Sequence, residues 1–327
     1  MFPLLKLPSL VLEKIIPELH FGTIVYLSMR CPKLAHAISH LSSQRGALTL
    51  FLDNLYANII VQRENHQITL RVLSGRFRSR FVEKMCGIAY SWPEHFPGRV
   101  VIELQCMQIE LSIRAQLEVF IGHLKSTFKF KIFNFTCHNW AENHYWLPAN
   151  IENFNSIHIG PSATETAFFV TPEKLVHLLE NVNYSNLYLH VTQPETKYQK
   201  PLRGKIIHLN FKNAPELAMN RIFKKWEAGE TGKLEMLKIN SGSLKKMLEG
   251  IRKEPSGFNS RQMEHLKISD PRPICDIVAA DGRLATVAGR EGLLITVVFW
   301  TQKTIDDVVQ LGGVDVEANR EWYARHF

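Results

Sequence analysis

Between residues 100 and 270 one pattern recurs, and it limits the chain to few folds. Apolar residues stand at i, i+3, i+4 and i+7 four times: Leu117, Phe120, Ile121 and Leu124; Leu175, Leu178, Leu179 and Val182; Met219, Ile222, Phe223 and Trp226; Leu244, Met247, Leu248 and Ile251. That spacing puts each set on one face of a helix. Between and beside them lie strand-like pieces, VVIEL, FKIFNF, SIHIG, NLYLHV, KIIHLNF, LEMLKI and MEHLKIS, centred on Ile102, Ile132, His158, Tyr188, Ile207, Leu237 and Leu266. The centres recur every 19 to 30 residues. A strand-helix unit repeating at this interval predicts a solenoid in which each unit buries its apolar face against its neighbours, similar to an irregular leucine-rich repeat. The same pattern also fits a doubly wound α/β domain.

The flanks change period. Leu48, Leu50 and Leu52, then Ile59 and Val61, then Ile68, Leu70 and Val72 alternate with other residues, which predicts a small antiparallel meander. Asp276 to Phe299 reads as three further strands joined at Asp281-Gly282 and at Gly289 to Gly292, and Asp-Gly between alternating residues is a strong hairpin signal. These strands are expected to cap the last repeat, with a closing helix or two. At 327 residues, 45% hydrophobic and 21% charged, the chain is long enough for several domains with a sizeable core. Five scattered cysteines (Cys31, Cys86, Cys106, Cys137, Cys275) without CxxC spacing fit reduced thiols, hence cytoplasm or nucleus. Pro3, Pro8, Lys6 and Glu13 spoil a signal-peptide core, and no apolar run approaches the ~20 residues of a membrane helix.

The first forty residues read as three short helices. Leu12, Ile15, Ile16 and Leu19 form one apolar face after Pro8; Ile24, Leu27 and Cys31 continue at helical spacing; Pro32 restarts a third helix with Leu34, Ile38 and Leu41. Pro17 should kink or end the first helix near Ile16, because it lacks an N–H and clashes with the preceding turn. So small a unit cannot cover its own apolar face, so part of that face should be covered by something else.

With Leu7-Pro8 and the run FPLLxLPxLVLxxI, this stretch resembles the F-box of nematode-type proteins that carry an F-box-associated type 2 domain. The resemblance implies an α/β chain: an F-box over 1–45, a meander connecting region over 46–99, an associated leucine-rich-repeat-like domain over 100–270, and a β-meander cap with helix over 271–327. It also implies the substrate-recognition subunit of a Skp-cullin-F-box ubiquitin ligase. The Skp adaptor would meet Leu7, Pro8, Val11, Ile15, Ile16, Leu19, Ile24, Leu27, Cys31 and Leu34. The repeat domain would hold a target protein for the cullin-RING ligase, with no membrane involved.

Catalytic signatures are poor. GxSxG and GxGxxG are absent, and Gly229 to Leu234 imitates a phosphate loop with wrong spacing and no Ser or Thr for magnesium, so a helix C-cap and turn is the better reading. His36 and His40 are four apart but lack the Glu of HExxH, and Cys137, His138 and His144 lack a fourth ligand, fitting instead an aromatic cluster with Trp140, Tyr145 and Trp146. A non-catalytic chain with no metal or cofactor is expected.

The net charge of +8 is concentrated: residues 197 to 253 hold 14 Lys and Arg against 5 Glu. Arg221, Lys224, Lys225, Lys245 and Lys246 are therefore candidates for an acidic or phosphorylated target. The alternative, a nucleic-acid-binding basic solenoid, draws on the same charge and on Arg76 to Phe81, where Arg alternates with Phe and Ser.

Overall fold

The computed structural model describes residues 7–41, 46–52, 56–63, 66–73, 81–85, 88–92, 101–106, 112–138, 147–149, 151–160, 172–191, 202, 204–211, 216–230, 233–240, 243–290 and 294–311. The chain is mixed α/β and divides into two compact units, Met1–Asn155 and Ser156–Phe327.

Unit 1 begins with α1 (Ser9–Ile15), one 3-10 turn (Ile16–Glu18), α2 (Phe21–Arg30) and α3 (Pro32–Leu41). As Pro17 predicts, α1 stops at Ile15 and the chain tightens into the 3-10 turn. Phe21 opens α2, where the His20 ring nitrogen Nδ1 accepts from the Gly22 N–H at 3.2 Å and caps the helix. The expected meander forms as β1 (Gly46–Leu52), β2 (Tyr56–Arg63) and β3 (His66–Leu73), paired antiparallel. Then come β4 (Phe81–Met85), β5 (Ile88–Trp92), β6 (Val101–Cys106), α4 (Ile113–Thr127) and β7 (Phe130–His138).

Sheet order in this unit is β7-β1-β2-β3-β6-β5-β4. β1 runs parallel to β7, with Leu50 opposite Phe135, and β3 runs parallel to β6, with Leu70 opposite Ile102. The expected stacking of one repeat on the next is therefore interrupted: β6 and β7 are separated by the meander, which sits inside the sheet. Leu117, Phe120, Ile121 and Leu124 of α4 are all fully buried, as their spacing predicts.

Unit 2 contains β8 (Asn153–Gly160, most of it beyond the division), α5 (Pro172–Asn181), β9 (Asn183–Val191), β10 (Ile206–Phe211), α6 (Glu216–Glu227), β11 (Met236–Asn240), α7 (Leu244–Met247), β12 (Lys253–Pro255), α8 (Ser260–His265), β13 (Pro273–Val278), β14 (Leu284–Gly289), β15 (Leu294–Phe299) and α9 (Gln302–Val309). Its order is β12-β13-β14-β15-β11-β10-β9-β8. β9, β10 and β11 are successive and parallel, while β15 closes antiparallel onto β11 and brings the Asp-Gly hairpin to that side.

Two expectations fail here. Leu266 is no strand centre: Asn259 and Gln262 form a reciprocal capping box that nucleates α8 through the same residues. α7 is four residues long rather than two turns, and Leu248 and Ile251 are buried from a turn that ends at Gly250 with φ +70°.

Candidate functional site

The N-terminal helices are fastened to their own unit. Ile16, Phe21, Ile24, Val25, Met29, Leu34 and Ile38 are buried, and the Phe21 ring meets Phe128 edge-on with centroids 6.0 Å apart. Ser28 donates to the Val25 carbonyl at 2.7 Å, and its oxygen lies 3.3 Å from Nε2 of His123 on α4. Burial holds the His123 pKa below the ordinary imidazole value, partly opposed by the Ser28 contact. A cavity of about 500 Å³ opens between α2, α3 and α4, lined among others by Arg30, His36, Ser39 and His123.

Of the ten residues expected to face an adaptor, Pro8 and Val11 are exposed, and Leu7, Ile15, Leu19, Leu27 and Cys31 are half-buried. Ile16, Ile24 and Leu34 are corrected: at 4 to 5% exposure they belong to the unit's own core. One residue was missed. Leu10 is 71% exposed beside Val11 at 38%. It lies off the Leu12, Ile15, Ile16 and Leu19 stripe, and an apolar residue on the second face of an amphipathic helix has no core to enter.

The five basic candidates of unit 2 sit on two neighbouring helices. Asn220 of α6 donates through Nδ2 to the Met247 and Glu249 carbonyls, both at 2.9 Å, and so ties α6 to the end of α7. Arg221, Lys224, Lys245 and Lys246 are exposed and Lys225 is half-buried. Two of them have carboxylate neighbours: Lys246 Nζ stands 3.2 Å from Glu216, and Lys225 Nζ 4.0 Å from Glu230. Lys224 Nζ lies close to Gly250, 3.6 Å from where a Cβ would stand. Two of the five thus stand within 4.0 Å of a carboxylate.

Gly229 follows α6 with φ +87°, its N–H donating to the Trp226 carbonyl at 2.9 Å, which makes it the terminating turn of a helix. Cys137 is buried in β7, and His138 packs 5.2 Å from the Phe51 ring; His144, Trp140, Tyr145 and Trp146 lie outside the described residues, as do Arg76, Arg78 and Arg80. The His36 and His40 ring nitrogens approach to 3.2 Å on α3. Among the described residues no three His, Cys, Asp or Glu side chains gather as metal ligands, and no helix is long and apolar enough to cross a membrane.

Asp276 is a buried acidic residue of unit 2, 3% exposed. Its carboxylate accepts from Ser256 Oγ at 2.8 Å, the Gly257 N–H at 2.7 Å and Thr286 Oγ1 at 2.6 Å, while Trp300 Nε1 donates to Thr286 Oγ1 at 2.7 Å. Burial raises its pKa more than the three hydrogen bonds lower it. The donors come from the Ser256-Gly257 turn and from β14, so the network ties that turn to β13 and β14 within unit 2. Compared with protein-family models, with curated proteins and with solved structures, the chain matches none.

Proposed function

We propose that this chain is a non-catalytic substrate receptor of a Skp-cullin-F-box ubiquitin ligase. Its F-box would be the three-helix N-terminal stretch, and its target-binding part an irregular leucine-rich-repeat-like region. The observation that carries the reading is the outward apolar surface of α1, where Leu10 and Val11 stand beside Leu7-Pro8 on helices anchored from behind by Phe21 and Ser28. Exposed apolar groups next to each other on a rigid support mark a partner surface.

Burying one such side chain contributes roughly 1.5 to 3 kcal/mol, whereas association costs on the order of 4 to 15 kcal/mol. Several anchors must therefore act together, and Leu7, Pro8, Leu10, Val11, Ile15 and Leu19 supply them. The chemistry belongs to the ligase: tethering a target beside the charged ubiquitin-conjugating enzyme raises the effective concentration of its lysines. The experiment is co-purification of a Skp adaptor with the wild-type chain and with Leu7→Ala/Pro8→Ala. Recovery that is unchanged in the folded double variant rejects the reading.

A further inference from the structure

Burial alternates along β11, with Leu237 and Ile239 fully buried and Met236, Lys238 and Asn240 half-buried; β9 and β10 behave alike at Leu187 and Leu189 and at Ile207 and Leu209. Alternation means that one sheet face is covered and the other is open. α6 identifies the covered face, because Trp226 packs 5.2 Å from Phe299, which shares a side with Val297, the partner of Leu237. The other side is treated differently across the sheet. β14 and β15 are buried on both faces, and Ala288 and Val298 pack with Met263 of α8 and Val308 of α9.

Val298 is the register partner of Met236, and Thr296 that of Lys238, so α8 and α9 stand on the same side as Lys238. Among the described residues they cover β14 and β15 and end there, forming a wall beside an open floor made by β8 to β11. Across that floor runs one row. The His158 and Tyr188 rings are 5.9 Å apart, Tyr188 and His208 6.0 Å apart, and His208 is paired in register with Lys238. Tyr188 is 40% exposed. Asn186 and Asn240 flank the row, and no outward position of the four strands, from Ser156 to Asn240, holds an Asp or Glu.

We propose that this floor is a docking groove for an extended, carboxylate-rich peptide segment. In terms of the receptor reading, on which its biological role rests, this is where the target lies, rather than on the α6 and α7 lysines. The argument is charge complementarity: the Lys238 ammonium stands in a row with His158, Tyr188 and His208, and among the described residues the outward positions of these strands hold no carboxylate to repel an acidic chain. A basic segment meets like charge, and two of the α6 and α7 lysines, Lys225 and Lys246, already have Glu230 and Glu216 as neighbours.

The test titrates fluorescein-labelled oligoglutamate, with oligolysine and a neutral Gly-Ser peptide as controls, into the full chain and follows anisotropy at low and moderate salt. Oligoglutamate binds, and His208→Ala/Lys238→Ala weakens it by about tenfold or more, as expected for loss of charge-assisted contacts. Arg221→Ala/Lys245→Ala, on the helices, leaves binding within about twofold. Lys238→Glu alone, with thermal unfolding as a control for folding, also abolishes binding. Equal loss from the helical variant, equal binding of oligolysine, or no oligoglutamate binding into the millimolar range overturns the proposal. Adaptor recovery is measured on the same proteins: its failure with intact peptide binding rejects the receptor reading alone, and the converse rejects the groove alone.

Discussion

Thr286→Val tests how the cap of unit 2 is held. The substitution keeps the shape of a fully buried side chain but removes an oxygen that donates to Asp276 at 2.6 Å and accepts from Trp300 Nε1 at 2.7 Å. Leaving the indole N–H without its acceptor costs about 1 to 3 kcal/mol, and a hydrogen bond to a charged group contributes about 1.5 to 3 kcal/mol. The added methyl offsets part of this, so a loss of about 3 to 4 kcal/mol is expected. For a unit of this size that lowers Tm by about 6 to 16 °C. The assay is thermal unfolding with hydrogen exchange of the β13 to β15 amides, which locates the loss in unit 2.

A pH series sharpens it. Burial raises the Asp276 pKa, so the folded state holds the proton more tightly than the unfolded chain. The contribution of this group is fully present below the ordinary carboxyl value of about 3.9 and is lost as pH rises through the folded value. Removing Thr286 deletes one of the bonds that lower that pKa, so the deficit of the variant should be larger near neutrality than at about pH 4. A deficit below about 1 kcal/mol, or one equal at both pH values, refutes the network as described.

Three further outcomes are expected. Gly282 and Gly289 both have positive φ, but a Cβ at Gly282 meets nothing while one at Gly289 collides with the Leu294 carbonyl oxygen; Gly282→Ala should cost about 1 to 2 kcal/mol and Gly289→Ala distinctly more by denaturant titration, and the reverse order contradicts the β14–β15 geometry. Asn220→Ala removes two bonds to the end of α7 and should cost about 2 kcal/mol, with faster exchange at the amides around Leu248. The His123 pKa is lowered, so its contribution is present above about pH 6.5 and is lost as pH falls through the folded value; His123→Gln should flatten the pH dependence of unit 1 stability below neutrality, and an unchanged slope would remove His123 as its source.

How much was legible depended on range. The stripes of α4 and α6 follow from a 3.6-residue period, and all eight of their apolar residues are buried. The β1 to β3 meander and the hairpin at Asp281-Gly282 were equally local. Non-local pairing was not legible: nothing in the β1 residues says that their partner is β7 rather than a neighbouring repeat. α8 runs against the apolar spacing of Met263, Leu266 and Ile268 because the Asn259–Gln262 capping pair sets its start. On the surface, the period identified the buried side of α1 but passed over Leu10, and a charge count could not reveal that Lys225 and Lys246 have acidic neighbours. The half-covered sheet had one hint, the almost unbroken apolar run of β15, which fits burial on two faces.

The receptor reading is tested most directly by titrating a purified Skp adaptor into this chain by calorimetry, alongside Leu10→Glu/Val11→Glu. Both positions are exposed, so the variant should keep the unfolding profile of the wild type. The account predicts a saturable one-to-one complex for the wild type, weakened in the variant by about a hundredfold or more, since two apolar anchors are lost and two charges are set against an apolar partner. Absence of binding by the wild type, or equal affinity of the two proteins, would contradict it.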